Sequence, residues 1–169
     1  MTTAIVPADW IRRIVDDEKQ RDAARDRAEE IATRKSDLVR LNGRRLVDDL
    51  RVAVARDVEA FRSEFVGDAS RALEMESTEA TGGFVVRKPA GPEVTLTVAP
   101  HFDTAAMVCA YQFTSTRGLP PREERLELVF ASDGAGTLAI KTQGSGQVFT
   151  TADALSEYLL GPIFTGRPR

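Results

Sequence analysis

Two side chains in this sequence belong to types that often do nucleophilic or acid–base chemistry, and each type occurs once. His101 could act as a general base oriented by Asp103, and Cys109 could act as a nucleophile if His101 lay beside it. The position of His101 directly after Pro100 predicts a polar loop for this histidine and for Asp103. Cys109 alternates with apolar residues along a predicted strand, which predicts a buried thiol. The pattern therefore does not indicate an active site.

Acidic residues and glycines offer the other candidate sites. Glu123-Glu124 and Glu127 could do acid–base work or hold a hard cation, but no second acidic cluster would complete the site, which favours a solvated strand end. One His and one Cys cannot supply the four ligands of a structural zinc. Gly134-Ala135-Gly136 and Gly144-Ser145-Gly146 lack the ending of a phosphate loop and predict hairpin turns. We expect no enzyme activity, cofactor or metal.

The charge balance argues against two classes of partner. The net charge is −3, and residues 1–67 hold 14 basic and 14 acidic residues, so no single-sign block forms. The basic pair Arg44-Arg45 is followed one turn later by Asp48-Asp49, which makes nucleic-acid binding unlikely. No apolar run approaches the roughly 20 residues of a membrane span, and no signal peptide is recognisable. The sequence indicates a cytoplasmic protein.

The predicted secondary structure changes at about Gly67, with helix before this residue and mainly strands after it. Residues 9–66 predict helix almost without interruption, but between Asp16 and Glu30 the apolar residues are alanines, which bury little area. Ion pairs of the type Asp17–Arg21 and Glu30–Arg34 stabilise such a helix by only about 0.2–0.5 kcal/mol each. We therefore expect this segment to fray unless a partner supports it.

The apolar stripe becomes continuous beyond Ile31 and continues across Asn42-Gly43. This dipeptide is a turn signal and could fold the helix into a hairpin, but the unbroken stripe favours one helix with a kink. Residues 44–66 are predicted to lie on the body of the protein. The expected organisation is an amphipathic helical arm over 1–67, its second half packed on the body, and a sheet domain over 68–169.

The second half predicts an α+β fold: a six-stranded antiparallel meander closed by a short C-terminal helix packed on the sheet. Apolar and polar residues alternate in short segments separated by turn residues such as Asp133-Gly134. Thr150 and Asp153 form a possible capping box for the last helix, and Gly161-Pro162 is expected to end it. Beyond that stop, Ile163 and Phe164 must either dock on the body or form a contact site.

The first functional hypothesis is a non-enzymatic interaction or scaffold protein that forms a homodimer through the long helix and offers a sheet face to another protein. The residues expected to pair are Ile11, Ile14, Ala24, Ala28, Ile31 and Leu38. The alternative is a carrier of a small molecule or lipid, with an apolar cavity between sheet and helix. Its lining would come from Tyr111, Phe113, Phe130 and Tyr158.

Overall fold

The computed structural model describes residues 6–90, 92–114, 117–132 and 136–169, and it divides into two compact units, Met1–Ser36 and Asp37–Arg169. The backbone is helical from Asp9 to Glu64. Helix α1 covers Asp9–Leu38, a π-helical turn covers Val39–Gly43, and helix α2 covers Arg44–Glu64. The prediction of a continuous helix is confirmed, and the hairpin alternative is wrong. The boundary between the units lies well before the change of composition at Gly67.

Gly43 explains why a turn signal occurs inside a helix. Its backbone is right-handed helical, with φ −62° and ψ −43°, so the glycine is not needed for an unusual dihedral angle. A Cβ atom at this position would lie only 3.2 Å from the Phe102 ring. A side chain at position 43 would therefore require the Phe102 ring, which approaches the helix backbone closely, to shift by a few tenths of an ångström.

Helix α2 is amphipathic in the way the stripe predicts. Its buried residues recur every three or four positions, which places them on one face toward the core. Burial of each larger aliphatic side chain contributes about 1.5–3 kcal/mol, so this face holds α2 in place. The buried residues of α2 are Val47, Leu50, Ala53, Val54 and Val58.

The sheet is an antiparallel meander in which each strand pairs with its neighbours in sequence. The fold class is therefore α+β, as predicted, but the described residues form seven strands rather than six. The additional strand is the two-residue β7, which pairs with β6 across the turn at Gly144 and Gly146. The predicted turn at Asp133-Gly134 lies outside the described residues. The strands are β1 Glu74–Thr78, β2 Gly83–Lys88, β3 Glu93–His101, β4 Ala106–Thr114, β5 Arg122–Ser132, β6 Leu138–Thr142 and β7 Val148–Phe149.

The two faces of the sheet differ in burial. Alternate residues point to opposite faces, and one set forms the core together with α2 and the C-terminal helix α3, Ala152–Thr165. Most of the other set is half-buried or exposed, and Gly83 and Ala139 are its buried members. The largest fully buried sheet residues are Phe84, Leu96, Met107, Leu128 and Phe130.

Helix α3 starts one residue later than predicted. The hydroxyl of Thr151, not Thr150, accepts the hydrogen bond from the Ala154 N–H at 3.2 Å. Asp153 lies in the first turn, where the positive end of the helix dipole favours a carboxylate.

The predicted end of α3 is wrong. The helix continues through Gly161 and Pro162 to Thr165, and Gly166 ends it in the left-handed conformation, with φ 68°. Proline disfavours a helix interior because it lacks an N–H and its ring crowds the preceding turn. Here the next residue, Ile163, is fully buried together with Leu159 and Leu160, and this burial offsets part of that cost.

Among the described residues, three side-chain hydrogen bonds join α3 to its neighbours, and one of them is the ion pair of Arg56 on α2 with Asp153 at 2.9 Å. The Tyr111 hydroxyl on β4 donates to the Leu159 carbonyl oxygen at 2.6 Å, and Ser156 donates to Asp57 of α2 at 2.7 Å. Burial acts to raise the pKa of Asp57, but hydrogen bonds from Arg56 and Ser156, with the charge of Arg56, outweigh it and lower this pKa. The carboxylate therefore stays charged between the two helices.

Candidate functional site

Helix α1 exposes several large apolar side chains, and no residue of this helix is buried. Trp10, Ile14 and Ile31 expose 58%, 52% and 67% of their surface. Ala24 and Ala28 lie exposed between them, and Ile11 is half-buried. Isolated exposed apolar residues are ordinary, but Trp10 and Ile14 lie one helical turn apart and form a small exposed apolar patch.

About half of the charged residues of α1 form ion pairs, and most of these pairs lie within the helix. Arg34 pairs with Glu30, as predicted, and Arg25 lies 3.4 Å from Asp22. The expected pair of Asp17 with Arg21 is wrong, because Arg21 contacts Glu18 at 2.8 Å instead. These exposed pairs contribute little to stability. Asp17 is left without an ion pair among the described residues.

Three other predicted contact residues belong to the compact unit Asp37–Arg169. Leu38 is half-buried and packs against the hydrophobic core. Ile163 is fully buried, and the Phe164 ring stacks on Phe61 of α2 with 4.2 Å between ring centroids. The pair Ile163-Phe164 therefore docks on the body, the first of the two possibilities left open by the sequence.

The candidate nucleophile and base do not meet. Cys109 faces the core and is fully buried, whereas His101 is exposed and occupies the register of the opposite sheet face. Burial raises the pKa of Cys109 to about 12, so the thiol stays protonated at neutral pH. Asp103 is exposed in the turn after β3. The prediction of a buried thiol is confirmed.

The acidic group at the start of β5 is divided between the two sheet faces. Glu124 pairs with Arg122 at 2.8 Å, and Glu127 pairs with Arg125 at 3.5 Å on the opposite face. Side chains that alternate between faces cannot converge on one cation. Across the described residues, no group of three or more His, Cys, Asp or Glu side chains could hold a metal ion.

The sheet face opposite the helices is unusual in composition. An exposed sheet face normally carries polar residues, but the central positions of this face are alanine, valine and threonine. The row across β2, β3 and β4 is Val85, Thr97 and Ala110, and the neighbouring row on β3 and β4 is Ala99 and Val108. Of these, all but Thr97 are half-buried.

Charged residues border this uncovered sheet face. In register with the central row, Glu76 lies on β1 and Arg125 lies on β5. The sequence predicted that the sheet offers a binding face, but it did not indicate which of the two faces. The available signal was valine and alanine at positions that alternate with core residues, where charged residues would be expected.

Grooves in the surface lie along α2 and β1. One, of ≈ 500 Å³, lies at the C-terminal end of α2 and is lined by residues such as Arg62, Phe65 and Arg71. The aromatic residues proposed for a carrier cavity do not line it. Tyr111 stacks on Phe113 at 6.0 Å, and Tyr158 contacts Phe149 at 4.9 Å, so these rings contact other core side chains. The carrier hypothesis remains a prediction that no specific contact favours.

No helix in the described part of the chain has the length and apolar character needed to cross a bilayer. No family model, curated protein or solved structure matches the chain.

Proposed function

We propose that the protein is a non-enzymatic interaction protein of the cytoplasm that forms a homodimer through α1 and binds another protein on the uncovered sheet face. The observation that carries this proposal is that α1 exposes Trp10, Ile14 and Ile31 while burying no residue. A surface helix of a globular protein usually buries an apolar stripe. In α1 the exposed apolar residues Trp10, Ile14 and Ile31 are available to a second helix.

The energetics of α1 support the same proposal. Its exposed ion pairs contribute only about 0.2–0.5 kcal/mol each, so they are a weak source of helix stability. Burial of an isoleucine such as Ile14 or Ile31 contributes about 1.5–3 kcal/mol. A homodimer contains two copies of each isoleucine, one in each chain, and pairing of the helices buries both copies. The small side chains of Ala24 and Ala28 allow the helix backbones to approach closely.

The uncovered sheet face supports the second part of the proposal. Its centre consists of Val85, Ala99, Val108 and Ala110 around Thr97, and charged residues border it. A mainly apolar centre with a polar rim is the usual composition of a protein–protein contact surface. The rim carries both signs of charge, since Glu76 lies on β1 and Glu127 lies beside Arg125 on β5, which favours a partner with charges of both signs.

The test of self-association is the mass of the protein in solution. Sedimentation equilibrium at micromolar concentration should give a dimer for the unchanged chain. Ile31→Glu places a charge on the pairing stripe and should shift the equilibrium to monomer. Thr33→Glu adds the same charge two positions away on the helix and should leave the dimer intact. A monomeric parent, or equal effects of both substitutions, would contradict the proposal.

A further inference from the structure

A seven-residue repeat runs along one face of α1. The spacing between its positions alternates between four and three residues, which is the pattern of the contact positions in a two-stranded coiled coil. Of its six central positions, Lys35 is half-buried and the other five are exposed. The central six positions are Asp17, Arg21, Ala24, Ala28, Ile31 and Lys35, and the same spacing continues to Ile14 and Trp10 before them and to Leu38 after them.

The charged positions of this seam are only partly neutralised within the chain. Arg21 contacts Glu18 at 2.8 Å, but neither Asp17 nor Lys35 forms an ion pair with any residue in the described part of the chain. Both lie on the seam rather than on the outer face. A second helix that covers the seam must therefore accommodate two charges of opposite sign, 18 residues apart in sequence.

A parallel, in-register pair accommodates these charges poorly. Such a pair brings each seam residue against the same residue of the second copy. Asp17 would then face a second Asp17, and the same holds for Arg21 and Lys35. Three layers of like charge would lie at the contact positions, where repulsion is strongest because water is partly excluded.

An antiparallel pair removes this conflict. We infer that two copies of α1 pair antiparallel, with Ala24 of one helix opposite Ala28 of the other. In this register Asp17 lies opposite Lys35, and Arg21 lies opposite Ile31, where its aliphatic part can pack. The two-fold symmetry repeats each contact, so the unpaired charges find partners twice. The inference rests on the proposed self-association through α1 and specifies its orientation and register.

Charges beside the seam oppose this arrangement weakly. Arg25 and Arg27 flank its centre, and each approaches its counterpart in the second copy. Arg25 has Asp22 at 3.4 Å and Glu29 at 4.0 Å on its own helix, which offsets its charge. Flanking side chains can also turn toward water, whereas residues in the seam cannot. The seam residues therefore decide the orientation.

Disulfide trapping tests the orientation. Asp17→Cys and Lys35→Cys chains are oxidised separately and as an equimolar mixture, and the parent chain controls for Cys109, which is fully buried. The inferred register predicts a cross-linked dimer in the mixture and none from either variant alone. A cross-linked dimer from Asp17→Cys alone would show parallel pairing and overturn the inference.

Charge reversal tests the register. Asp17→Lys and Lys35→Asp should each raise the dimer dissociation constant several-fold, and the double variant should restore it because opposite charges face each other again. Asp26→Lys and Lys19→Asp are matched controls on the opposite face of α1 and should leave the constant unchanged. A shift of the pairing by seven residues would separate positions 17 and 35, so a double variant without rescue would overturn the register.

These experiments separate the two proposals. If sedimentation gives a dimer but the mixture yields no cross-link, the antiparallel register is wrong and the proposed self-association stands. If the unchanged chain is monomeric at every concentration tested, the proposed self-association is wrong, and the inference about its orientation fails with it.

Discussion

The hydroxyl group of Tyr111 donates a hydrogen bond to the backbone carbonyl oxygen of Leu159 over 2.6 Å. The bond joins strand β4 to helix α3, and both residues are buried. Tyr111→Phe removes it where water cannot easily replace it, so we expect a loss of about 1–2 kcal/mol in the free energy of unfolding. Urea unfolding followed by far-UV circular dichroism measures this change.

Tyr158→Phe is the matched control for this prediction. The Tyr158 hydroxyl has no hydrogen bond to the described residues, and the side chain is half-buried. Its removal should change the free energy of unfolding by less than about 0.5 kcal/mol. Equal losses for the two variants would mean that the bond to Leu159 does not stabilise the packing of α3.

Leu50 is a central residue of the buried face of α2. It is fully buried, whereas Val52, two positions away on the same helix, exposes 65% of its surface. Leu50→Ala should destabilise the protein by about 2–5 kcal/mol because it removes apolar contacts and leaves a cavity. Val52→Ala should change stability by less than about 0.5 kcal/mol. Thermal melts of both variants beside the parent would reveal whether this face of α2 belongs to the core.

Removal of residues 1–30 should separate stability from self-association. None of the residues of α1 is buried, and residues 1–30 belong to the other compact unit, so we expect the core of the unit Asp37–Arg169 to stay intact after the deletion. At a protein concentration where the parent is monomeric, the melting temperature should therefore stay the same. At higher concentration the truncated chain should remain monomeric by sedimentation. A truncated chain that melts far below the monomeric parent would show that α1 supports the core.

Alkaline pH should weaken the fold through two buried acids. Burial raises the pKa of Cys109 from an ordinary value of 9.0 to about 12, and it also raises the pKa of Tyr111. The unfolded chain loses these protons first, so the free energy of unfolding falls as pH rises above about 9, by up to about 1.4 kcal/mol per pH unit for each group.

Urea midpoints measured between pH 7 and pH 11 test this slope. Cys109→Ala should make the fall of the urea midpoint with pH shallower, because only the Tyr111 hydroxyl then contributes to it. At pH 7 the urea midpoint of this variant should already be lower than that of the parent. The thiol of the parent should react with a disulfide reagent only as fast as the protein unfolds. Rapid reaction in the native state would contradict the burial of Cys109.

The local patterns in the sequence predicted most of the fold, because alternation and helical spacing reflect burial directly. The error at the end of α3 and the error in the strand count have a different origin. Helix α3 passes through Pro162 with Ile163 buried beyond it, and strand β7, where the sequence indicated only that residues 147–149 could add a short edge, has two residues, too few to show alternation. Both outcomes depend on contacts with other elements, which local spacing does not contain.

Gly43 is a single residue whose contact could not be predicted from the local sequence. In sequence, Asn42-Gly43 is a turn signal, because glycine readily takes positive φ angles. In the structure it is helical, and the absence of a side chain makes room for the Phe102 ring. These residues are far apart in sequence, so no local rule could identify the contact. The seam of α1 was visible in the sequence, but its unpaired charges required the ion-pair geometry.

The order of the strands affects how the chain can fold. Each strand of the sheet pairs with its neighbours in sequence, so the sheet can grow by one hairpin at a time, and each step closes a short loop. The hydrogen bond from Ser156 to Asp57 instead spans 99 residues. During synthesis, the apolar face of α2 must therefore wait until all seven strands and α3 have left the ribosome. Over that interval α2 is the segment most exposed to capture by a chaperone or to aggregation.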